Sequence, residues 1–224
     1  MSKTPPAVFP VIHHLDADTT LSEIMVARAC GADGAFLISH HSADRELLEV
    51  ARRAIHENDD FPIGLNLLSV PCVQAVKMAM DVGSTLVWGD DMGVDSKGLT
   101  ADGRELSALA RANPLLTLFA GVAFKYRPHE DDPVGAAAHA RAAGFVPTTS
   151  GDGTGHAPTV SKIKSMGAGG ALAIASGMTP DNVRQYAHDL THILVATGVA
   201  RTEYHIDPSK LIAFMAQVRD SRQD

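Results

Sequence analysis

Lys125 is the residue whose position in the sequence most clearly suggests chemistry. It follows the apolar run Leu118–Phe124, so a buried strand that contained this run would end at the lysine. A lysine at such a point binds an anion, acts as an acid or, when desolvation lowers its pKa, forms a Schiff base. The alternative is a lysine whose ammonium group reaches outward into solvent. We take Lys125 as a candidate catalytic residue.

A histidine and an aspartate are the next candidates for acid–base chemistry. His13 and His14 follow the run Val8–Ile12, and because side chains alternate along a strand, only one of the two can face inward. We take His13 as a candidate catalytic residue, together with Asp90, which follows the run Thr85–Trp88. The alternatives are a packing histidine and a solvated loop carboxylate.

The same strand ends leave room for a divalent metal, because barrels commonly gather ligands from several strands. The side chains that could contribute are His13, His40, His41, Asp90 and Asp91. No local pattern such as HxH or HExxH supports such a site. The sequence therefore gives no confident cofactor and no assigned metal ligand, with a divalent metal kept as the alternative.

Glycine, serine and threonine gather after the last three predicted strands, and this pattern favours a phosphate site. Glycine lets backbone N–H groups approach an anion, and hydroxyl groups add further donors. A helix predicted to begin at Thr179–Pro180 would point its positive end at the same place. The candidate ligand-binding residues are Asn66, Ser150, Gly151, Asp152, Thr154, Gly155, Ser176, Gly177, Thr197 and Gly198. The alternative is that these loops are only tight turns.

Eight short apolar runs, separated by helical segments, would position these side chains. The runs are Val8–Ile12, Ala35–Ile38, Ile63–Leu67, Thr85–Trp88, Leu115–Ala120, Phe145–Thr148, Ala171–Ala175 and Ile193–Ala196. They are continuous rather than alternating, which is typical of parallel strands buried on both faces. Eight repeats in 224 residues predict one (β/α)₈ barrel domain over residues 1–224. An open doubly wound sheet is the alternative, and the missing GxGxxG pattern after the first run weakens it.

Helix start signals fall between these runs. Thr20 and Glu23 have the spacing of a capping box. Asp207 stands before Pro208, as a capping residue stands before a proline in the first helical position. These signals predict helices that follow the first and the last strand.

The bulk composition limits the classes of partner. The net charge is −7, and no Lys/Arg cluster is longer than Arg52–Arg53, which argues against nucleic acid. No segment resembles a signal peptide or is long enough to insert into a membrane, so we expect a cytoplasmic protein. Cys30 and Cys72 match no metal or disulfide spacing. The expected partner is a phosphorylated small molecule, and the sequence leaves room for a homo-oligomer.

Seven segments in collinear order resemble the BtpA family, which is named for a photosystem I biogenesis protein. The segments are Val11–Leu15, Pro62–Leu68, Asp95–Gly98, Phe124–Tyr126, Ser150–Gly155, Ser176–Val183 and Ile206–Asp207. The resemblance spans nearly the whole chain and implies a barrel with a phosphate-type site. It does not imply a particular reaction, and a role in photosystem assembly does not follow from it.

Two classes of function remain open at this point. The first is an enzyme acting on a sugar phosphate or nucleotide, with Lys125 and His13 as acid–base or nucleophilic groups; isomerase, lyase and transferase chemistry are not distinguished. The second is a non-catalytic barrel that binds a ligand or partner and supports the assembly of a complex. An enzyme requires Lys125, a histidine and the anion loops within one substrate length of each other.

Overall fold

The computed structural model describes residues 4–40 and 44–221. Its strands are β1 (Ala7–His13), β2 (Ala35–Ile38), β3 (Ile63–Asn66), β4 (Leu86–Gly89), β5 (Val94–Asp95), β6 (Gly98–Leu99), β7 (Thr117–Gly121), β8 (Val146–Thr149), β9 (Ala173–Ile174), β10 (His192–Val195), β11 (Ala200–Thr202) and β12 (His205–Ile206). Its α-helices are α1 (Ala17–Ala29), α2 (Asp44–Glu57), α3 (Cys72–Asp81), α4 (Ala101–Ala112), α5 (Pro133–Ala142), α6 (Val160–Gly167), α7 (Arg184–Ala187) and α8 (Pro208–Asp220). None of the helices within these described residues is long and apolar enough to cross a membrane.

Eight parallel strands close into a barrel in the order β1-β10-β9-β8-β7-β4-β3-β2. Each of the eight predicted runs overlaps one of these strands, so the predicted (β/α)₈ barrel is confirmed and the open sheet is wrong. Two short antiparallel hairpins, β5–β6 and β11–β12, lie outside the barrel sheet, after β4 and after β10. The sequence did not predict them.

Aromatic rings fill the inside of the barrel. The rings of Phe9, Phe36 and Phe119 meet edge to face, with centroids 5.2 to 6.2 Å apart. Trp88 extends this cluster towards the carboxyl ends of the strands, where its ring meets that of Phe124 at 6.1 Å. The lower barrel is therefore a packed core, and open space begins only above it.

The alternation of side chains along β1 decides which histidine reaches the barrel mouth. Val8 and Ile12 belong to the core between the barrel and the helices, whereas Phe9 belongs to the inner aromatic cluster. His14 continues the outer set: it is buried, and its Nδ1 lies 2.7 Å from Thr20 Oγ1 of α1. His13 continues the inner set.

The capping box predicted from Thr20 and Glu23 is wrong. Helix α1 begins at Ala17, and the Asp16 side chain caps it by accepting a hydrogen bond from Thr19 N at 2.7 Å. The Thr20 hydroxyl donates instead to Asp16 O. Asp16 is the capping residue because its carboxylate stands directly before the first turn of α1. The Glu23 carboxylate is therefore available for contacts outside the helix.

The two proline signals have different outcomes. Asp207 does cap α8, accepting from the backbone N–H groups of Ser209 and Lys210. No regular helix begins at Thr179–Pro180, because the chain there forms turns and α7 starts only at Arg184. The side chain of Asn182 folds back, accepting from Thr179 N and donating to Gly177 O, which holds the loop in an irregular shape. The predicted positive helix end is therefore missing.

Candidate functional site

A cavity of about 660 Å³ opens at the carboxyl ends of the barrel strands. Nine of the predicted site residues line it: His13, Asp90, Lys125, Thr154, Gly155, Ser176, Gly177, Thr197 and Gly198. Four predicted ligand-binding residues are not part of its wall: Asn66, Ser150, Gly151 and Asp152. Asn66 instead lines a smaller adjoining cavity of about 150 Å³. The site is thus assembled from the ends of most of the barrel strands.

Lys125 lies on the cavity wall and is held in place at both ends. Its backbone N–H donates to Ser150 Oγ at 2.7 Å, and its ammonium Nζ lies 3.3 Å from Thr154 Oγ1. The rings of Phe124 and Tyr126 lie 5.8 and 5.9 Å from Nζ, a distance at which an aromatic face stabilises a cation. The ammonium group is therefore positioned by its neighbours rather than extended freely into solvent.

A second lysine fixes the loops around Lys125. Lys162 on α6 donates to Ala123 O at 2.9 Å and to Ser150 O at 2.8 Å. Burial lowers the pKa of Lys162, and the charge of Asp152 opposes this effect. Because the two carbonyl groups belong to the loops after β7 and β8, Lys162 joins these loops, and Ser150 serves as part of that framework rather than as a ligand-binding group.

His13 has a defined tautomer. Its Nδ1 lies 2.9 Å from the backbone carbonyl oxygen of Glu203, in the β11–β12 turn. A carbonyl oxygen only accepts hydrogen bonds, so Nδ1 carries the hydrogen and Nε2 holds the lone pair of the neutral ring. The His40 ring packs edge to face against His13, with centroids 5.3 Å apart. This arrangement leaves Nε2 chemically suited to accept a proton.

Asp90 is the carboxylate with the most altered environment at the mouth. Burial raises its pKa, while Lys125, the Asn66 amide and Arg127 act in the opposite direction. Its Oδ1 is buried and has no hydrogen-bond partner among residues 4–40 and 44–221. The adjacent Asp91 differs, since it forms an exposed ion pair with Arg127. Asp90 is partly buried and lies on the wall of the main cavity, whereas Asp91 is exposed and does not.

Three glycines of the predicted anion loops stand where neighbouring loops approach each other closely. A Cβ atom on Gly198 would clash with Met178 O, one on Gly177 with the backbone of His156 and Ala157, and one on Gly151 with His156 O. The missing side chains therefore make room for the neighbouring loops. Gly177 and Gly198 still line the cavity, so an anion that binds to their N–H groups stays a prediction.

Several predicted hydroxyl donors already have partners within the protein. Ser150 Oγ donates to Gly151 O, and Ser176 Oγ donates to Gly153 O. Thr154 Oγ1 lies within hydrogen-bonding distance of both Lys125 Nζ and the Tyr126 hydroxyl. These contacts order the loops, so the hydroxyl groups of Ser150 and Ser176 are poor candidates for direct ligand contacts.

The described residues contain no cluster of side chains that would support the alternative of a divalent metal site. Over the ranges 4–40 and 44–221, no three His, Cys, Asp or Glu side chains lie in positions that would hold a metal ion. His13 and Asp90 both line the cavity without forming such a group. His41, which was part of the predicted set, lies outside the described residues.

The cavity wall also contains polar residues that were not predicted as site residues, among them Arg201, Glu23 and His205. Arg201 lies on β11, and its guanidinium has no ion pair or hydrogen bond among the residues that the structure describes. Glu23 is buried, and it accepts from Ile206 N at 2.7 Å and from His205 Nδ1 at 3.1 Å. A carboxylate only accepts, so Nε2 of the neutral His205 ring is again the basic atom. The strands of this hairpin are only two and three residues long and gave no periodic signal.

Comparison with known proteins establishes the fold. No protein-family model matches this chain, and no curated protein sequence matches it either. Among solved structures, phosphoribosyl anthranilate isomerase from Thermus thermophilus is similar with a TM-score of 0.68 and 17% identity, over 96% of this chain and 100% of that one. The isomerase of that name from Thermotoga maritima gives 0.68 and 16%, over 95% and 99%, and the native KDPGal structure gives 0.71 and 16%, over 99% and 98%. At these identities, the similarity supports the conclusion that the chain adopts the (β/α)₈ barrel fold.

Proposed function

We propose that this chain is an enzyme that binds a phosphorylated small molecule, a sugar phosphate or a nucleotide, in the 660 Å³ cavity. The main support for the proposal is a set of hydrogen-bond donors on the cavity wall that have few or no partners within the described residues. Arg201 has no partner among the described residues, and Lys125 Nζ makes a single hydrogen bond there, to Thr154, out of three that an ammonium group can donate. The hydrogen bonds found among the described residues also use neither the N–H of Gly177 nor that of Gly198.

These donors suit a phosphate group in particular. Arginine and lysine form charge-assisted hydrogen bonds to phosphate oxygens, each contributing about 1.5–3 kcal/mol. The protein as a whole carries a charge of −7, so an anion is attracted only where cations are concentrated. Lys125 and Arg201 both line the cavity and are the cations available there for an anion.

The remaining polar groups support acid–base chemistry on the bound molecule. His13 and His205 each have Nδ1 bound to an acceptor, which leaves Nε2 as a proton acceptor. Burial raises the pKa of Asp90, so this carboxyl group exchanges a proton closer to neutral pH than an exposed aspartate does. A reaction that moves a proton on the substrate would use these groups together.

The comparisons and the sequence motifs support the same proposal. The similar barrels include phosphoribosyl anthranilate isomerases, whose name indicates a phosphorylated substrate. We also propose that the chain is BtpA-like: every one of the seven matching segments except Asp95–Gly98 contributes at least one residue to the cavity. An open cavity of this size favours an enzyme over the alternative of a non-catalytic scaffold.

Calorimetric titration with inorganic phosphate and with ribose 5-phosphate tests the proposal. We expect binding in the millimolar to micromolar range, and about tenfold weaker binding for Lys125→Met and for Arg201→Gln. Lys164→Met and Arg53→Gln remove the same charges at exposed positions away from the cavity and serve as matched controls. If neither compound binds, or if the controls weaken binding as much as the cavity variants, the proposed function is wrong.

A further inference from the structure

The smaller cavity beside the main one contains buried polar atoms that have no partner. Its volume is about 150 Å³, and it lies at the carboxyl ends of β3 and β4. Leu68, Trp88 and Asp90 line both cavities, so the two spaces adjoin. A molecule in the main cavity can therefore extend one end into the smaller one.

Three atoms on the wall of the smaller cavity lack hydrogen bonds within the part of the chain that the structure describes: Asn66 Nδ2, Trp88 Nε1 and Asp90 Oδ1. The Asn66 and Trp88 side chains are buried, with 2% and 7% of their surface exposed. A buried polar group without a partner costs about 1–3 kcal/mol, and native proteins contain few of them. The Asn66 side chain is near enough to Asp90 to lower its pKa, yet neither Asn66 Nδ2 nor Asp90 Oδ1 makes a hydrogen bond among the described residues. Three such groups on the wall of one cavity indicate that a ligand supplies their partners.

We propose that Asn66, Trp88 and Asp90 form a subsite for a hydroxyl group of the substrate. This inference rests on the proposed function, in which the phosphate end of the same molecule binds at Lys125 and Arg201. The Asn66 amide and the Trp88 indole donate to the hydroxyl oxygen, and the hydroxyl hydrogen is donated to Asp90 Oδ1. A hydroxyl group fits better than a carbonyl oxygen, which would satisfy the two donors and leave the carboxylate oxygen without a donor.

The chemistry of the three groups narrows the ligand to a polyol phosphate. A purely apolar end would leave all three groups unsatisfied, and a second phosphate would face the Asp90 carboxylate. The cavity volume admits one or two hydroxyl-bearing carbons, or about five water molecules in the free protein. Asp90 is then in direct contact with the hydroxyl, so the group that orients the substrate is also the one placed to exchange a proton with it.

The experiment compares ribose 5-phosphate, inorganic phosphate and ribose, titrated into wild type and into Asn66→Leu and Trp88→Phe. Calorimetry gives the affinities. Trp88 is the only tryptophan in the chain, so fluorescence reports occupation of the subsite directly in wild type and in Asn66→Leu. Gln74→Leu, which removes an exposed amide on α3, is the control.

We expect ribose 5-phosphate to bind at least tenfold more tightly than inorganic phosphate. Each subsite variant should weaken ribose 5-phosphate binding by about twofold to tenfold, as the loss of one hydrogen bond does, and leave inorganic phosphate binding unchanged. Asn66→Leu should also unfold at a higher denaturant concentration than wild type, because it removes buried donors that lack a partner. A merely structural role for Asn66 predicts the opposite change in stability.

The other outcomes separate the two proposals. If both phosphates bind equally well, or if the subsite variants weaken them equally, the subsite is wrong and the phosphate site stands. If neither phosphate binds while ribose binds and depends on Asn66 and Trp88, the subsite stands and the proposed function is wrong. If none of the three compounds binds, both proposals are wrong.

Discussion

His205 Nδ1 lies 3.1 Å from Glu23 Oε1, and this contact joins the hairpin over the barrel mouth to the first helix. The second carboxylate oxygen of Glu23 accepts from the backbone N–H of Ile206 at 2.7 Å. The same hairpin reaches His13 through Glu203 O. One buried carboxylate therefore fixes the position of the hairpin that carries Arg201 and His205.

Replacement of Glu23 by alanine should loosen this hairpin. The buried Ile206 N–H would lose its acceptor, which costs about 1–3 kcal/mol in the free energy of unfolding, measured by urea denaturation. Nitrogen NMR should also show His205 losing its fixed Nδ1–H tautomer. Glu57→Ala, which breaks only an exposed ion pair with Arg53, should change stability by less than about 1 kcal/mol. Equal stability losses in the two variants would contradict the anchoring role of Glu23.

Replacement of Lys125 by methionine should weaken ligand binding without unfolding the protein. The lysine side chain contacts the Thr154 hydroxyl and two aromatic rings at the cavity wall, and methionine fills a similar volume there. Its backbone bond to Ser150 Oγ is unaffected. Circular dichroism and thermal unfolding should match wild type, whereas affinity for ribose 5-phosphate should fall about tenfold. A variant that binds as well as wild type would show that Lys125 only packs at the mouth.

The barrel follows from simple periodicity, because continuous apolar runs identify the strands. The two-residue repeat along β1 limits the inward position to one of His13 and His14. The structure then decides for His13, because Phe9 belongs to the inner cluster and Val8 and Ile12 to the outer core. Lys125 follows a long apolar run in the same way. These inferences depend on local sequence, which is why the sequence contains them.

The loop residues depend on contacts that no local pattern specifies. Whether Gly198 faces a ligand or the next loop is decided by how closely the loops after β9 and β10 approach each other. Glu23 has the spacing of a capping residue, yet Asp16 takes that role and Glu23 contacts a hairpin almost two hundred residues away. Arg201 and His205 stand on strands too short to show alternation.

Gly198 provides a direct test of loop packing. In Gly198→Ala, the added Cβ would clash with Met178 O of the neighbouring loop, so the loops must separate. We expect a loss of about 1–3 kcal/mol in the free energy of unfolding. Gly153→Ala is the matched control, because the nearest atom to its Cβ would be His156 Nδ1, at an ordinary contact distance of 3.5 Å. A fully stable Gly198→Ala would show that the two loops are further apart than described.

A histidine at the amino-terminal end of the barrel strands, His192, should make the stability of the protein depend on pH. His192 stands at the start of β10, its ring stacked on Phe9 and edge to face with Phe119, with centroid distances of 6.2 and 5.1 Å. Burial lowers the pKa of His192 from 6.5 to about 4, with the charge of Asp33 acting in the opposite direction. Between pH 4 and pH 6.5, His192 therefore binds a proton in the unfolded chain but not in the folded protein.

Stability should therefore fall as the pH is lowered from 6.5 to 4, and by about 3 kcal/mol from this group alone. Above pH 6.5 the ring is neutral in both states and contributes no pH dependence. His192→Leu should flatten the profile of unfolding free energy against pH in this window, as measured by urea denaturation at half-unit steps. His129→Gln, at an exposed position, should keep the wild-type slope. Parallel profiles for wild type and His192→Leu would mean that His192 titrates near its ordinary pKa in the folded protein.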